Sequence, residues 1–476
     1  MITAIEQARR QVASGTTAKK KALLGQFFTP ASTAEFMAGL FPDARGGTCH
    51  LLDAGAGIGS LSCAFLERCL SGRLDFNHVQ LTAFECDEAI RPELDRSLSR
   101  YRDKLGFSYE VVGGDFIESA VNRMQFGQHG FTHAILNPPY KKISSNSRHR
   151  LLLRQAGIET VNLYSAFVAL ALLLMAPGGQ LVAIIPRSFC NGPYYRPFRN
   201  LLLERAAIRH LHLFESRTQA FKDDDVLQEN IIIRLELGAP QGQVTISTST
   251  DDRFADLCRH DYAFDRIVRA DDPQRFIHIP TAPGTGTSEW APAIGCSLAD
   301  LGISVSTGPV VDFRLKEHLR DSPGPGTVPL LYPGHFSRGG VVWPKVDLKK
   351  PNAIRRNGDT EKWLYPNGFY CVVRRFSSKE ENRRIVASVV DPAAFSDAPM
   401  LGFENHLNLF HEHKQSLTAA LAHGLAVFLN TTAVDECFRR FSGHTQVNAT
   451  DLKQMKYPSR AELIEMGDEQ LRVLRT

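Results

Sequence analysis

Through the first half of the chain, short unbroken apolar runs alternate with segments whose apolar positions recur at helical spacing. A short apolar run bounded by turn residues reads as a buried strand, and a recurrence about every 3.6 residues reads as a helix. The sequence thus predicts strands over Cys49 to Ala54, Val79 to Glu85, Ser108 to Val112, Phe131 to Leu136 and Gln180 to Pro186. Ile208 to Phe214 and Asn230 to Leu237 read as closing strands. Helices are predicted over Ala31 to Leu40, Leu61 to Leu70, Leu163 to Met175 and Phe198 to Ala206. Pro30 suits the first turn of a helix, and Pro177-Gly178-Gly179 is a strong helix stop. Alternation of this kind predicts an α/β fold built on a parallel sheet.

After Gly238-Ala239-Pro240 the periodicity weakens, and Pro and Gly thicken, as in Pro280 to Gly286 and Ser322 to Gly326. Short strands such as Gly368 to Arg374 and a helix over Ser416 to Asn430 are expected there. The expected organisation is a basic N-terminal arm or helix over residues 1–25, an α/β domain over 26–240 and a mixed α+β domain over 241–476.

The length of 476 residues suits two or three domains at ~100–200 residues each. Apolar content of 43% and charged content of 22% are those of an ordinary globular protein. The start of the chain lacks the apolar core of a signal peptide, and Phe167 to Ala176 is about half of what a membrane span needs. Nine cysteines are scattered without a C-x-x-C pair, and no metal-ligand spacing is seen. A cytoplasmic protein with reduced thiols, no metal and no membrane is expected. The net charge of +4 forces no nucleic-acid ligand, but residues 345–384 carry eleven basic residues against five acidic ones. A solvated face is the plainer reading of such a run.

Five segments carry candidate chemistry. Asn137-Pro138-Pro139-Tyr140 follows an apolar strand, and its prolines hold the backbone extended. An amide, offering acceptor and donor together, is thereby set beside an aromatic ring. That pairing suits group transfer to a planar amine: the carbonyl accepts from the amine while the ring stacks on the base. Asp53-Ala54-Gly55-Ala56-Gly57-Ile58-Gly59 lies between a strand and its helix, where glycines bring backbone N–H groups close to a ligand. Dinucleotide and phosphate sites also use glycines there. Asp53, directly before the loop, suits a positively charged ligand better than a pyrophosphate, which favours S-adenosylmethionine. Glu85, ending the second strand, can accept from two ribose hydroxyls, as an acid also does in NAD sites. Asp115 and Phe116, after the third strand, can take an adenine amine and cover its face, although Asp115 reads equally well as a helix cap. Gly25-Gln26-Phe27-Phe28-Thr29-Pro30 reads as a loop, or as a lid on which Phe28 packs and Thr29 donates to the methionine part of the cofactor. Ligands of open α/β sheets bind at the carboxyl ends of strands, and the three acids fall there in order.

This set, in this order, resembles the amino-methyltransferases of bacterial DNA modification in which the cofactor motifs precede NPPY. The likeness covers roughly residues 20–240. It is closest to the Eco57I/PstI-like restriction-modification methylases. Arg374 to Glu381, Gly402 to Asn408 and Ser442 to Asn448 are similar to target-recognition regions of such enzymes. The resemblance implies a Rossmann-like class I methyltransferase sheet with helices on both faces and a target-recognition domain. It implies S-adenosylmethionine-dependent methylation of adenine N6 in double-stranded DNA. The enzyme would be an adenine-specific, base-flipping modification methyltransferase, monomeric and nucleoid-associated, with a cognate restriction endonuclease acting on the same site. Asn137 and the Pro138 carbonyl would accept from N6, Tyr140 would stack on the flipped base, and Phe221 would form a second wall or a simple core contact. Cytosine N4 is chemically similar, so adenine rests on the resemblance alone. Arg374, Arg375 and Lys379 are candidate DNA contacts, against the alternative that some of these arginines pair with Glu380 and Glu381. Rival readings are a glutamine-N5 protein methyltransferase, which also uses NPPY, a non-catalytic DNA-binding module and a restriction-methylation fusion.

Overall fold

The computed structural model describes residues 6–7, 9, 12, 28–214, 229–280, 295–337, 340–377, 381–395, 397–441 and 446–475. The chain divides into two compact units, Met1–Thr281 and Ala282–Thr476.

In the first unit the apolar runs become strands β1 (Thr48–Ala54), β2 (His78–Phe84), β3 (Phe107–Val112), β4 (Phe131–Leu136), β5 (Met175–Pro186), β6 (Ala206–Phe214) and β7 (Asn230–Leu237). β8 (Gln243–Ser249) and β9 (Cys258–Ala263) add to the same sheet, in the order β9-β8-β6-β7-β5-β4-β1-β2-β3. The segment from β5 through β4, β1 and β2 to β3 is parallel, and β7 runs antiparallel to β5 and β6. Helices α1 (Ala31–Gly39), α2 (Ser60–Leu70), α3 (Arg91–Ser99), α4 (Phe116–Gln125), α5 (Arg148–Gln155), α6 (Leu163–Leu174) and α7 (Arg196–Arg205) provide the crossovers.

Strand residues alternate between two cores, as side chains on a pleated strand must. Ile231, Ile233 and Leu235 of β7 pack in the core that holds α4 and α6, while Ile232 joins the core that holds α1, α2 and α3. Helix α6 is buried almost all round, which explains its unbroken apolar sequence. It stops at Leu174, but Pro177-Gly178-Gly179 lies within β5, at an irregularity where the pairing with β4 shifts register.

The expected boundary near 240 is displaced. The β8–β9 hairpin pairs through β8 with β6, and Ile267, Ile277 and Ile279 lie in the first unit's core. Gly238 and Pro240 mark a turn inside the unit, and the division falls after Thr281.

The second unit is α+β. Strands β10 (Ser304–Thr307), β11 (Leu319–Arg320), β12 (Thr327–Leu331), β13 (Ala353–Arg355), β14 (Leu364–Pro366), β15 (Tyr370–Arg374), β16 (Ala387–Val390), β17 (Met400–Phe403) and β18 (Leu407–His411) form two main sheets. One is antiparallel, in the order β10-β18-β15-β16, and the other runs β11-β13-β12-β17-β14. Cys371 and Val373 of β15 face a core shared with α8 (Ala419–Leu429), α9 (Thr432–Phe441), α10 (Ala449–Gln454) and α11 (Arg460–Arg475). Tyr370 and Val372 face the other way, against Tyr365, Leu401 and Phe403 of the second sheet. Among the described residues no helix is long and apolar enough to cross a membrane.

Candidate active site at the strand ends of the first unit

The central parallel strands β1, β2 and β4 end side by side, and each hands the chain to one candidate segment. β4 ends at Leu136, and Asn137 follows with both ends of its amide engaged. Its Nδ2 donates to Thr29 Oγ1 at 2.9 Å, and its Oδ1 accepts from the Tyr140 hydroxyl at 3.2 Å. The Tyr140 hydroxyl is also 3.2 Å from the Ile184 carbonyl of β5, which ties the tetrapeptide to the neighbouring strand. Burial pushes the Tyr140 phenol up, so it remains a donor at neutral pH. Pro138 is buried, whereas Asn137, Pro139 and Tyr140 are half-buried.

The Tyr140 ring meets Tyr164 edge-on at 6.4 Å, and Tyr164 lies 5.7 Å from Tyr195. Asn162 donates to the Tyr195 hydroxyl, and the Tyr164 hydroxyl pairs with Ser188 at 3.1 Å. This tyrosine row was hidden in the sequence, since Tyr164 sits in the apolar run of α6 and reads as core.

The glycine loop after β1 lies against both neighbouring segments. Gly55 (φ +87°) and Gly57 (φ +57°) are left-handed, where a side chain is strained. A Cβ on Gly55 would sit 3.8 Å from the Asn137 carbonyl oxygen, and one on Gly57 would sit 3.4 Å from the Phe28 ring. Phe28 and Thr29 are both buried. Phe28 therefore covers the loop with its ring, and Thr29 holds Asn137 through its hydroxyl. In the sequence its hydroxyl was expected to donate to a cofactor; here it accepts from the amide.

Asp53 is fully buried, with Oδ2 accepting from Ser62 at 2.5 Å and Oδ1 lacking a partner among the described residues. Burial raises its pKa to about 7, against the Ser62 hydrogen bond and helped by the nearby Glu85 charge. Glu85 is also buried, and desolvation raises its pKa. Its Oε2 accepts from the Gly57 N–H at 2.8 Å and its Oε1 from the Asp87 N–H at 2.7 Å. Glu85 thus holds the glycine loop in shape, and each oxygen keeps a second lone pair. Asp115 caps α4, accepting from the Glu118 N–H at 3.1 Å, and its other oxygen is 2.8 Å from His149 Nε2. The helix-cap alternative is realised there, and no sequence motif announced His149. Phe116 is a core residue, packed on Phe84 and Phe167 at 5.0 and 4.8 Å.

An unforeseen ion pair closes the same edge. Arg187, just past β5, and Glu229, just before β7, meet at 2.7 Å and are both buried. Breaking such a pair strands a buried charge at a cost of about 3–5 kcal/mol.

Phe221 and Lys379 lie outside the described residues. Arg374 pairs with Glu381, one of the two acids named as its alternative partners. Arg375 donates to the Asn405 carbonyl at 3.1 Å and to Gln446 Oε1 at 3.3 Å, tying two segments of the second unit together.

Residues 77–221 match the family model described as Eco57I restriction-modification methylase. The chain is 54% identical to the type II methyltransferase M.BsuBI of Bacillus subtilis, over 94% of this chain and 90% of that one. It is 41% identical to the type II methyltransferase M.PstI of Providencia stuartii, over 98% and 93% of the two chains. A tRNA1(Val) (adenine(37)-N6)-methyltransferase of Shewanella woodyi is 25% identical over 39% of this chain and 76% of its own. The chain belongs to the type II restriction-modification methyltransferases.

Proposed function

We propose that this enzyme methylates N6 of a flipped-out adenine at a specific site in duplex DNA. It is a site-specific DNA methyltransferase with S-adenosylmethionine as methyl donor. The finer reading is adenine N6, with Asn137 and Tyr140 receiving the base. The observation that carries it is the Asn137 amide, fixed by Thr29 and Tyr140 beside Gly55 of the cofactor loop. The tRNA adenine-N6 relative supports the same acceptor atom.

The donor set fits a cationic nucleoside. An unpartnered buried carboxylate oxygen on Asp53 suits the positive charge of the methionine part, and the second lone pairs of Glu85 suit ribose hydroxyls. When bound, S-adenosylmethionine supplies an electrophilic methyl group on a sulfonium. The chain's own work is positioning. Asn137 Oδ1 has two lone pairs, so it can accept from N6 while keeping Tyr140. The hydrogen bond that its Nδ2 donates to Thr29 fixes which end of the amide faces the base. Accepting from N6 draws the lone pair out of the ring and toward a tetrahedral nitrogen. No strong base is needed, so most of the acceleration comes from orientation. Extrusion of the base costs a few kcal/mol, offset by stacking on Tyr140.

The enzyme is read as a cytoplasmic monomer paired with a separate endonuclease for the same site. The test is Asn137→Ala: transfer of labelled methyl to genomic DNA falls at least ~1,000-fold while S-adenosylmethionine affinity stays within about twofold. Undiminished transfer by this variant, or label found in protein instead of DNA, contradicts the reading.

A further inference from the structure

Six large apolar side chains of the second unit are exposed among the described residues. Val473 and Leu474 sit at the end of α11. The other four are Phe313 (64% exposed), Val342 (50%), Val346 (92%) and Phe376 (40%), and contacts bring the segments that carry them together.

Phe313 follows Asp312, which is bridged at 2.9 Å by Lys350 of the segment carrying Val342 and Val346. The His406 ring lies 4.9 Å from Phe376. The chain just before Phe313 is tied to the one just before His406: Val310 N–H donates to the Phe403 carbonyl, and Asn405 N–H to the Val310 carbonyl.

The segment bearing Val346 is held rigidly. The Trp343 indole donates to the Asn352 carbonyl at 2.6 Å, and Asn352 Oδ1 accepts from the Lys345 N–H at 2.8 Å. Lys345 Nζ donates to the Gly334 carbonyl at 2.9 Å. Fold stability is served by Trp343 and Asn352, both drawn inward. It is not served by presenting a valine almost entirely to solvent at the tip.

Both exposed phenylalanines carry an arginine over the ring, Arg314 at 5.5 Å from Phe313 and Arg375 at 5.9 Å from Phe376. Lys316 and Lys349 lie on the same segments, beside Glu317 and Asp347, and Lys350 is paired with Asp312. Arg375 is held by Asn405 and Gln446, but an apolar tip that can enter a base step, with a guanidinium such as that of Arg314 beside it for phosphate, is the arrangement of proteins that wedge into a duplex.

We propose that this face, built on Phe313, Val346 and Phe376 with Arg314 and Lys349, is the duplex-DNA contact surface of the second unit. It rests on the reading that the enzyme acts on duplex DNA. It replaces Arg374, whose guanidinium is committed to Glu381, as the first place to look.

The test measures binding of labelled plasmid fragments by the full chain at several salt concentrations, without cofactor. Arg314→Ala/Lys349→Ala weakens binding tenfold or more at low salt. It also reduces the slope of log K against log salt by about 1.8, at about 0.9 per lost phosphate contact. Phe313→Ser/Phe376→Ser weakens binding tenfold or more with the slope unchanged. Both variants keep the parent's melting temperature and cofactor affinity, because the altered side chains are exposed. Affinity and slope within twofold of the parent in both variants overturn the proposal. So does a parent dimer in sedimentation that the serine variant dissociates, since the face would then be an interface between copies. Binding is read without methyl transfer, so a parent that binds but does not methylate DNA would sink the proposed function and leave this surface standing.

Discussion

Asn137 is the residue on which the proposed chemistry turns, and its neighbours make separable predictions. Thr29→Val removes the acceptor for the Asn137 Nδ2, one of the bonds that orient the amide. The turnover rate is expected to fall ten- to a hundredfold with little change in cofactor affinity, as befits loss of orientation alone. Thr29→Ser, which keeps the hydroxyl, should restore most of it. A loss of cofactor affinity with turnover unchanged would instead return Thr29 to the cofactor. Asp53 gives a pH signature. Its pKa near 7 in the free enzyme leaves it partly protonated just below neutrality, and only the ionised form attracts a cation. Affinity for S-adenosylmethionine should therefore fall as pH drops below 7, approaching about tenfold per unit. Asp53→Asn should bind weakly at every pH, with that dependence gone; titration calorimetry between pH 5.5 and 7.5 reads both. The placing of these residues at neighbouring strand ends was legible in the sequence, because the apolar runs mark where each strand stops. The Thr29–Asn137 hydrogen bond was not, since it joins positions 108 residues apart and no local pattern encodes a long-range partner. Asp115 shows the converse: its capping role was legible as an alternative, and only its contact with His149 was new.

Among the elements, the edge hairpin β8–β9 is joined to β6 by a buried polar network. Ser247 Oγ lies 2.7 Å from His210 Nε2 and 2.8 Å from His212 Nδ1, and Ser249 Oγ lies 3.2 Å from His212 Nε2. Burial lowers the pKa of His210 to about 4 and of His212 to about 3. An unfolded histidine titrates near 6.5, so between about pH 6.5 and 4 the unfolded chain binds more protons than the folded one. Stability therefore falls as pH drops through that window, by on the order of 1–3 kcal/mol per group, and is unaffected above it. Asp53 and Asp451, raised to about 7, act with the opposite sign, favouring the fold as pH falls through the same range. The comparison that isolates the histidine is His212→Gln, whose denaturant midpoint should vary less between pH 6.5 and 4.5 than the parent's. An equal slope would contradict the assignment. In the second unit, α8 and α11 approach backbone to backbone. A Cβ on Gly424 would strike the Leu463 carbonyl, and one on Gly467 the Ala420 carbonyl. Gly424→Ala should cost about 1–3 kcal/mol by overpacking and lower the melting temperature; an unchanged one would contradict the close approach. The parallel strands were legible because strands buried on both faces are written as continuous apolar runs. β9 was not: its burial is patchy, with Tyr262 alone fully inside, so it carries no such run.

At the scale of the molecule, the division after Thr281 has a direct consequence. A fragment ending at residue 240 loses β8 and β9, bares the edge of β6 and removes Ile267, Ile277 and Ile279 from the core. It is expected to aggregate, as an exposed edge strand invites. A fragment ending at Thr281 is expected to stay soluble and bind S-adenosylmethionine. Gly238-Ala239-Pro240 misled because a turn and a domain boundary share the same residues, and only strand pairing tells them apart. The central claim is that the nitrogen placed against Asn137 is adenine N6. Its most direct test is to incubate the enzyme with deuterium-labelled methyl donor and unmethylated genomic DNA, digest to nucleosides and identify the product by mass spectrometry. The account predicts labelled N6-methyldeoxyadenosine, absent from the Asn137→Ala reaction; label in N4-methyldeoxycytidine, or in no nucleoside at all, would contradict it.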